Sequence, residues 1–195
     1  MNNGHVRQST VIICPGIHEP QLTQNFLEGL RRYETDNLSS HWTYKVLIFP
    51  IEDYPAYSTI HILEFLQRHV EQRTPIILIS FSAGVAGAIG AAFGWQMLGG
   101  KVRAFFAFDG WGVPLYASFP IHRLSHDYFT YWSSALLGAG EDSFYADPAI
   151  EHLDLWRSPD RCQGWWIRRT VVGQSEQRNQ TTAAQFVNQL LQIYM

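Results

Sequence analysis

Cysteine is almost absent from this chain: Cys14 and Cys162 are the only two in 195 residues. Two thiols cannot staple a domain of this size, so the fold must rest on a hydrophobic core and no oxidising compartment is implied. Cys14 lies in an apolar run and reads as a small packing residue. Charge is scarce as well, at 16% of residues against about 25% in an ordinary soluble domain, which excludes a solvated disordered chain. With a net charge of −3, the chain offers no basic face to nucleic acid or anionic lipid. Residues 1–10 lack the apolar stretch of a secretory signal. The longest apolar window, Ala83 to Met97, is broken by glycines and too short to span a bilayer. A cytoplasmic protein without a transmembrane segment is expected. Asn37-Leu38-Ser39 and Asn179-Gln180-Thr181 match the glycosylation pattern but carry no meaning without export.

What the chain does have is apolar material: 46% hydrophobic and 14% aromatic residues, enough for one domain spanning residues 1–195. Residues 10–14 form a β-branched run that stops at Pro15-Gly16, and residues 21–33 set Leu22, Phe26, Leu27 and Leu30 on one helical face. Residues 43–49 read as a second strand. Ile60, Leu63, Leu66 and Val70 mark a second helix, residues 75–79 a third strand, 83–98 a small-residue helix and 102–108 a fourth strand. Continuous apolar strands are buried on both faces, and strand–helix alternation means right-handed crossovers. The fold class is therefore α/β, with a mostly parallel central sheet flanked by helices on both faces. Beyond residue 110 the rhythm fails. Residues 111–170 are aromatic-rich, suited to core packing or to a lid or cleft for an apolar substrate. A last helix over 182–194 buries Phe186, Leu190 and Ile193.

The chemistry-bearing segment is Ser80-Phe81-Ser82-Ala83-Gly84, between the strand PIILI and the helix that follows. A serine on a sharp strand-to-helix turn is forced out at the carboxyl end of the sheet. The crowding there demands small residues two before and two after it. The new helix brings unpaired N–H groups and a positive dipole end beside that hydroxyl. The bland alternative for Ser82 is a helix cap. Other motifs carry less. Gly84, Gly87 and Gly90 are no dinucleotide fingerprint and read as close packing of a helix on the sheet. Gly99-Gly100-Lys101 lacks phosphate-loop spacing. His122 and His126, four apart, lack a third ligand, so no metal and no cofactor is expected. Arg168-Arg169 reads as a solvated edge.

The segment around Ser82 resembles the nucleophile elbow of the α/β-hydrolase family, G-x-S-x-G, with Ser80 where glycine is commonest. Pro15-Gly16-Ile17-His18, after the first strand, is similar to that family's oxyanion loop, with proline where histidine is frequent. The resemblance covers residues 10–155 and implies a three-layer sandwich and a compact serine esterase or lipase-like enzyme. Its substrate would be a small-molecule ester or thioester with an apolar portion. Ser82 would be the nucleophile, and Ile17 and Ala83 would supply the oxyanion N–H groups. The family's order of nucleophile, acid and histidine leaves two assignments. One uses Asp127, just past a short strand at 121–125, with His152. The other uses Asp109, closing the strand 102–108, with His126. We take the first, although Asp147-Pro148 reads as a helix start that would set His152 inside a helix. A different class remains open: a non-catalytic binding or scaffolding protein on the same fold.

Overall fold

A computed structural model describes residues 9–36, 44–168 and 176–195. Asn37, Leu38, Ser39, Thr43, Arg169 and residues 1–8 lie outside the described residues. Among the described residues eight strands form one sheet in the order β2-β1-β3-β4-β5-β6-β7-β8. They are β1 (Thr10–Cys14), β2 (Lys45–Ile48), β3 (Ile76–Phe81), β4 (Val102–Phe108), β5 (Ile121–Ser125), β6 (Asp142–Ala146), β7 (Gln163–Arg168) and β8 (Gln177–Thr182). Strands β1 to β6 are all parallel, whereas β7 and β8 add antiparallel, so the sheet is mixed. Every residue of β1 and β3 is buried, as apolar runs covered on both sides must be.

Six helices among the described residues cover the sheet: α1 (Pro20–Asp36), α2 (Thr59–His69), α3 (Ala83–Met97), α4 (Tyr128–Ala135), α5 (His152–Arg157) and α6 (Ala183–Tyr194). Alternate residues of each strand feed two separate cores. On one face Ile13, Ile79, Phe106, Phe108 and Phe144 pack with Phe26 of α1, Trp156 of α5 and Phe186 of α6. The Phe26 and Trp156 rings stack at 3.7 Å, which locks α1 to α5. On the other face Ile12, Leu78, Phe105 and Ala107 meet Ile62 and Leu66 of α2 and Val85, Ala88, Ala92 and Trp95 of α3. The result is a three-layer α/β arrangement. Among the described residues no helix is long and apolar enough to cross a membrane.

Three details differ from expectation. Of the glycines of α3, Gly84 meets the end of β1 as expected, but the others admit α2 rather than the sheet: a Cβ on Gly87 would meet Ile62 Cδ1 at 2.8 Å, one on Gly90 would meet Thr59 Oγ1, and one on Gly94 would meet Leu63 Cδ2 at 2.7 Å. Ile62, not Ile60, is the buried anchor of α2. On α6, Ile193 is exposed, and Tyr194 makes the last inward contact, its hydroxyl 2.8 Å from His122 Nε2.

The aromatic-rich stretch divides between roles. Phe119, Tyr131, Trp156 and Trp166 are buried, while Trp111, Tyr116, Tyr128, Phe129 and Trp132 are exposed. Tyr131, Trp156 and Trp166 of the buried set belong to α4, α5 and β7, and Phe119 to the loop before β5. Arg123 of β5, itself buried, donates to the carbonyls of Gly138, Val113 and Leu137. Burial pushes this guanidinium down to about 10, still charged at neutral pH. It therefore ties the loop carrying Trp111 and Val113 to the end of α4.

Candidate active site

The chain leaves neighbouring strands β1 and β3 in opposite directions, and a crevice opens at their carboxyl ends, where open α/β sheets bind ligands. The loop after β1 and the turn after β3 are pressed together there. A Cβ on Gly84 would lie 2.3 Å from the Pro15 carbonyl oxygen, and one on Gly16 would lie 3.0 Å from Ser82 Cβ. Both positions exclude any side chain, so the two glycines let the backbone before Ile17 reach Ser82. Ser80 tolerates its place by burying its hydroxyl in a bond to the Phe106 carbonyl, 2.9 Å away.

Ser82 has φ +52 and ψ −122, a conformation L-residues rarely hold, and such strain collects at functional sites. It occupies the N-cap position of α3, yet its side chain makes no cap hydrogen bond. The helix-cap reading therefore does not account for this serine. The hydroxyl opens on a cavity of about 450 Å³ that Ser82, Ala83, Asp109, Trp111, His126, Phe129 and His152 help to line. A second cavity, of about 370 Å³, opens beside Ile17 and His18.

Asp109, just past the end of β4, is the other non-glycine residue with positive φ among the described residues, at +48. The sheet ladder runs one residue past each strand here: Ser82 N–H donates to Phe108 O at 2.9 Å and Asp109 N–H to Leu124 O at 2.8 Å. Nucleophile candidate and carboxylate are thereby fixed on adjacent strands. The Asp109 side chain is 1% exposed. A carboxylate only accepts, so both imidazoles that reach it must donate from Nδ1. His152 does so at 2.8 Å and His126 at 2.9 Å, both to Oδ2, and His126 backbone N–H takes Oδ1 at 2.9 Å. Ile150 N–H donating to His126 O at 3.1 Å holds the segment before α5 against the end of β5, which brings the two histidines together.

The contacts cut across the two sequence assignments: Asp109 and His126 meet, as the second has it, and His152 reaches the same carboxylate. The carboxylate on His152 is that of Asp109, and Asp127 does other work. Asp127 is the N-cap of α4, its side chain accepting from Thr130 N–H at 2.6 Å. Burial pushes its carboxyl up, but the Thr130 hydrogen bonds outweigh this and hold it below the usual range. Asp127 Oδ2 lies 3.7 Å from His126 Nε2. His152 is the first residue of α5, after Glu151, because Asp147 is taken by Trp165 Nε1 at 2.7 Å and starts no helix. Its ring lies on Phe81, the residue before Ser82, at 4.7 Å.

The electrostatics separate the histidines. His126 is raised above the ordinary imidazole value, first by its hydrogen bond to Asp109 and then, against burial, by the charges of Asp109, Asp127 and Glu151. His18, between Phe81 and Trp156, is lowered chiefly by burial and stays neutral, with Nδ1 bonded to Glu19 O at 2.9 Å. Burial raises Cys14 and Cys162 to about 12, so neither is a thiolate. The donor atoms of Asp109, His126 and His152 lie within 4.8 Å of one another, a spacing a metal ion could bridge. Both Nδ1 atoms point to Oδ2, which makes the group a hydrogen-bonded cluster. His122 lies inside the core, so it forms no metal pair with His126. Trp111 and Phe129, from the aromatic-rich stretch in which a cleft is expected, line the cavity. Sequence reasoning missed Thr130, whose signal was Asp127-x-x-Thr130, a helix start. No protein-family model and no curated protein sequence matches this chain.

Proposed function

We propose that the protein is a serine hydrolase that cleaves an ester or thioester with an apolar acyl portion, using Ser82, His152 and Asp109. The observation that carries this is a strained, uncapped serine opening on the same cavity as an imidazole held through Nδ1 by a buried carboxylate. His152 is preferred over His126 as base for two reasons. Its ring lies against the residue before Ser82. The Nε2 of His126, in contrast, faces the Asp127 carboxylate at 3.7 Å. The order Ser82, Asp109, His152 also keeps the chain order of the α/β-hydrolase fold, and the strand order and the elbow glycines support that kinship.

In this mechanism Ser82 Oγ attacks the carbonyl carbon while His152 Nε2 takes its proton, and Asp109 keeps the ring in the Nδ1–H tautomer. The negative oxygen of the tetrahedral intermediate accepts from the Ile17 and Ala83 N–H groups, each donor contributing about 2.7–4 kcal/mol. The imidazolium then protonates the departing alcohol or thiol. Water, deprotonated by the same nitrogen, releases the acid and restores Ser82. No metal or organic cofactor enters these steps. Trp111, Val113 and Phe129 give the cavity an apolar wall suited to the acyl group.

A series of p-nitrophenyl esters of increasing acyl length tests the proposal. Turnover with a clear chain-length preference, abolished in Ser82→Ala, is expected. Folded protein without esterase or thioesterase turnover would favour a non-catalytic binding protein, and turnover indifferent to chain length would remove the apolar-acyl assignment.

A further inference from the structure

The hydrolase reading uses one imidazole, yet Asp109 Oδ2 serves two, His152 at 2.8 Å and His126 at 2.9 Å. Their rings are 5.9 Å apart and nearly perpendicular. An oxygen that accepts two N–H groups gives less of its electron density to each than one that accepts a single donor, so the two interactions compete. Resting on that reading, we propose that His126 is a positioning residue: by sharing Asp109 Oδ2 it sets how tightly the carboxylate holds the Nδ1 proton of His152, and with it the pH range in which His152 acts as a base.

The groups around the pair fix the direction of the effect. His126 meets Asp109 from β4, Asp127 from its own segment, Glu151 from the turn before α5 and His152 from α5. His18 stands behind His152, and Cys162, near Asp109, carries no charge. Three carboxylates therefore favour the imidazolium form of His126. In that form it neutralises Asp109 and repels a proton on His152. In its neutral form it still withdraws one hydrogen bond's worth of basicity from Oδ2. Both states lower the proton affinity of His152 compared with an Asp109 that served it alone.

His126→Ala gives Oδ2 wholly to His152. Its imidazole midpoint should rise by about half to one pH unit, and the acid limb of kcat/KM should move up by the same amount. The plateau at high pH should remain within about tenfold of the parent. His126→Asn returns a neutral donor to Oδ2 and should move the limb less. It also serves if the alanine variant folds poorly. Histidine side-chain NMR titration of the full-length protein reads the His152 midpoint whether or not an ester is turned over. A raised midpoint in protein without esterase activity would sustain the coupling and sink the hydrolase reading. Activity that falls equally at every pH, with the His152 midpoint unmoved, would overturn the coupling and leave the hydrolase reading intact.

Discussion

His122 and His126 lie four residues apart, one within β5 and one just past its end, and they are chemically opposite. His122 is fully enclosed by Phe106, Phe186 and Tyr194. Burial pushes it down to about 4, so it is a neutral core residue. His126, two turns of the pleat further along, emerges at the carboxyl end of the sheet, where Asp109 and Asp127 raise it. One strand thus runs from a region where burial decides protonation to a region where carboxylates decide it. The strained backbones of Ser82 and Asp109 belong to the second region alone. Depth along the strand, rather than residue type, separates packing from chemistry.

The sharpest way to break this contrast is Asp109→Asn. Asparagine tolerates positive φ, so the fold should persist, but the amide can present a donor where both imidazoles need an acceptor. A loss of about 10⁴-fold in kcat is expected, measured with the preferred p-nitrophenyl ester. Asp127→Asn, which preserves the cap, should change kcat by less than about threefold. The reverse ranking would return the acid to Asp127.

The core end of the strand should reveal itself in stability. The folded-state value of His122 lies below its unfolded value of 6.5, so the unfolded chain binds the extra proton. The stabilisation from keeping this ring neutral is complete above pH 6.5 and is lost as pH falls towards about 4. About 3 kcal/mol should disappear across that window. Urea unfolding at a series of pH values should show this loss in the parent and a flatter profile in His122→Phe. A smaller effect is expected at Asp127→Ala, which removes the cap of α4 at a cost of about 1 kcal/mol, read as a lower denaturation midpoint.

The legible part of the molecule is the part written in local pattern. β1, β3 and β4 are predominantly apolar runs between turn residues, and Ser82 stands between a strand and a helix that each declare themselves. The loop after β1 is legible for the same reason: its turn, Pro15-Gly16, directly follows the strand. The far edge of the sheet is not. β8 is the polar run QRNQTT, largely exposed and joined to β7 by backbone pairing, so no hydrophobic period marks it. The acid was ambiguous because Asp109 and Asp127 both follow strand ends. Only the three-dimensional course of the chain turns Asp127 to Thr130 and sends His152 to Asp109. That His126 and His152 share one oxygen depends on the Ile150–His126 backbone bond, which nothing in residue spacing announces.

The central claim is that the Ser82 hydroxyl is an activated nucleophile, and a fluorophosphonate tests it without knowledge of the substrate. Intact-mass analysis after incubation should show one phosphonyl adduct per chain, mapped by peptide sequencing to Ser82 and missing from Ser82→Ala. Folded protein that stays unmodified, or that carries the adduct on another residue, would contradict the claim.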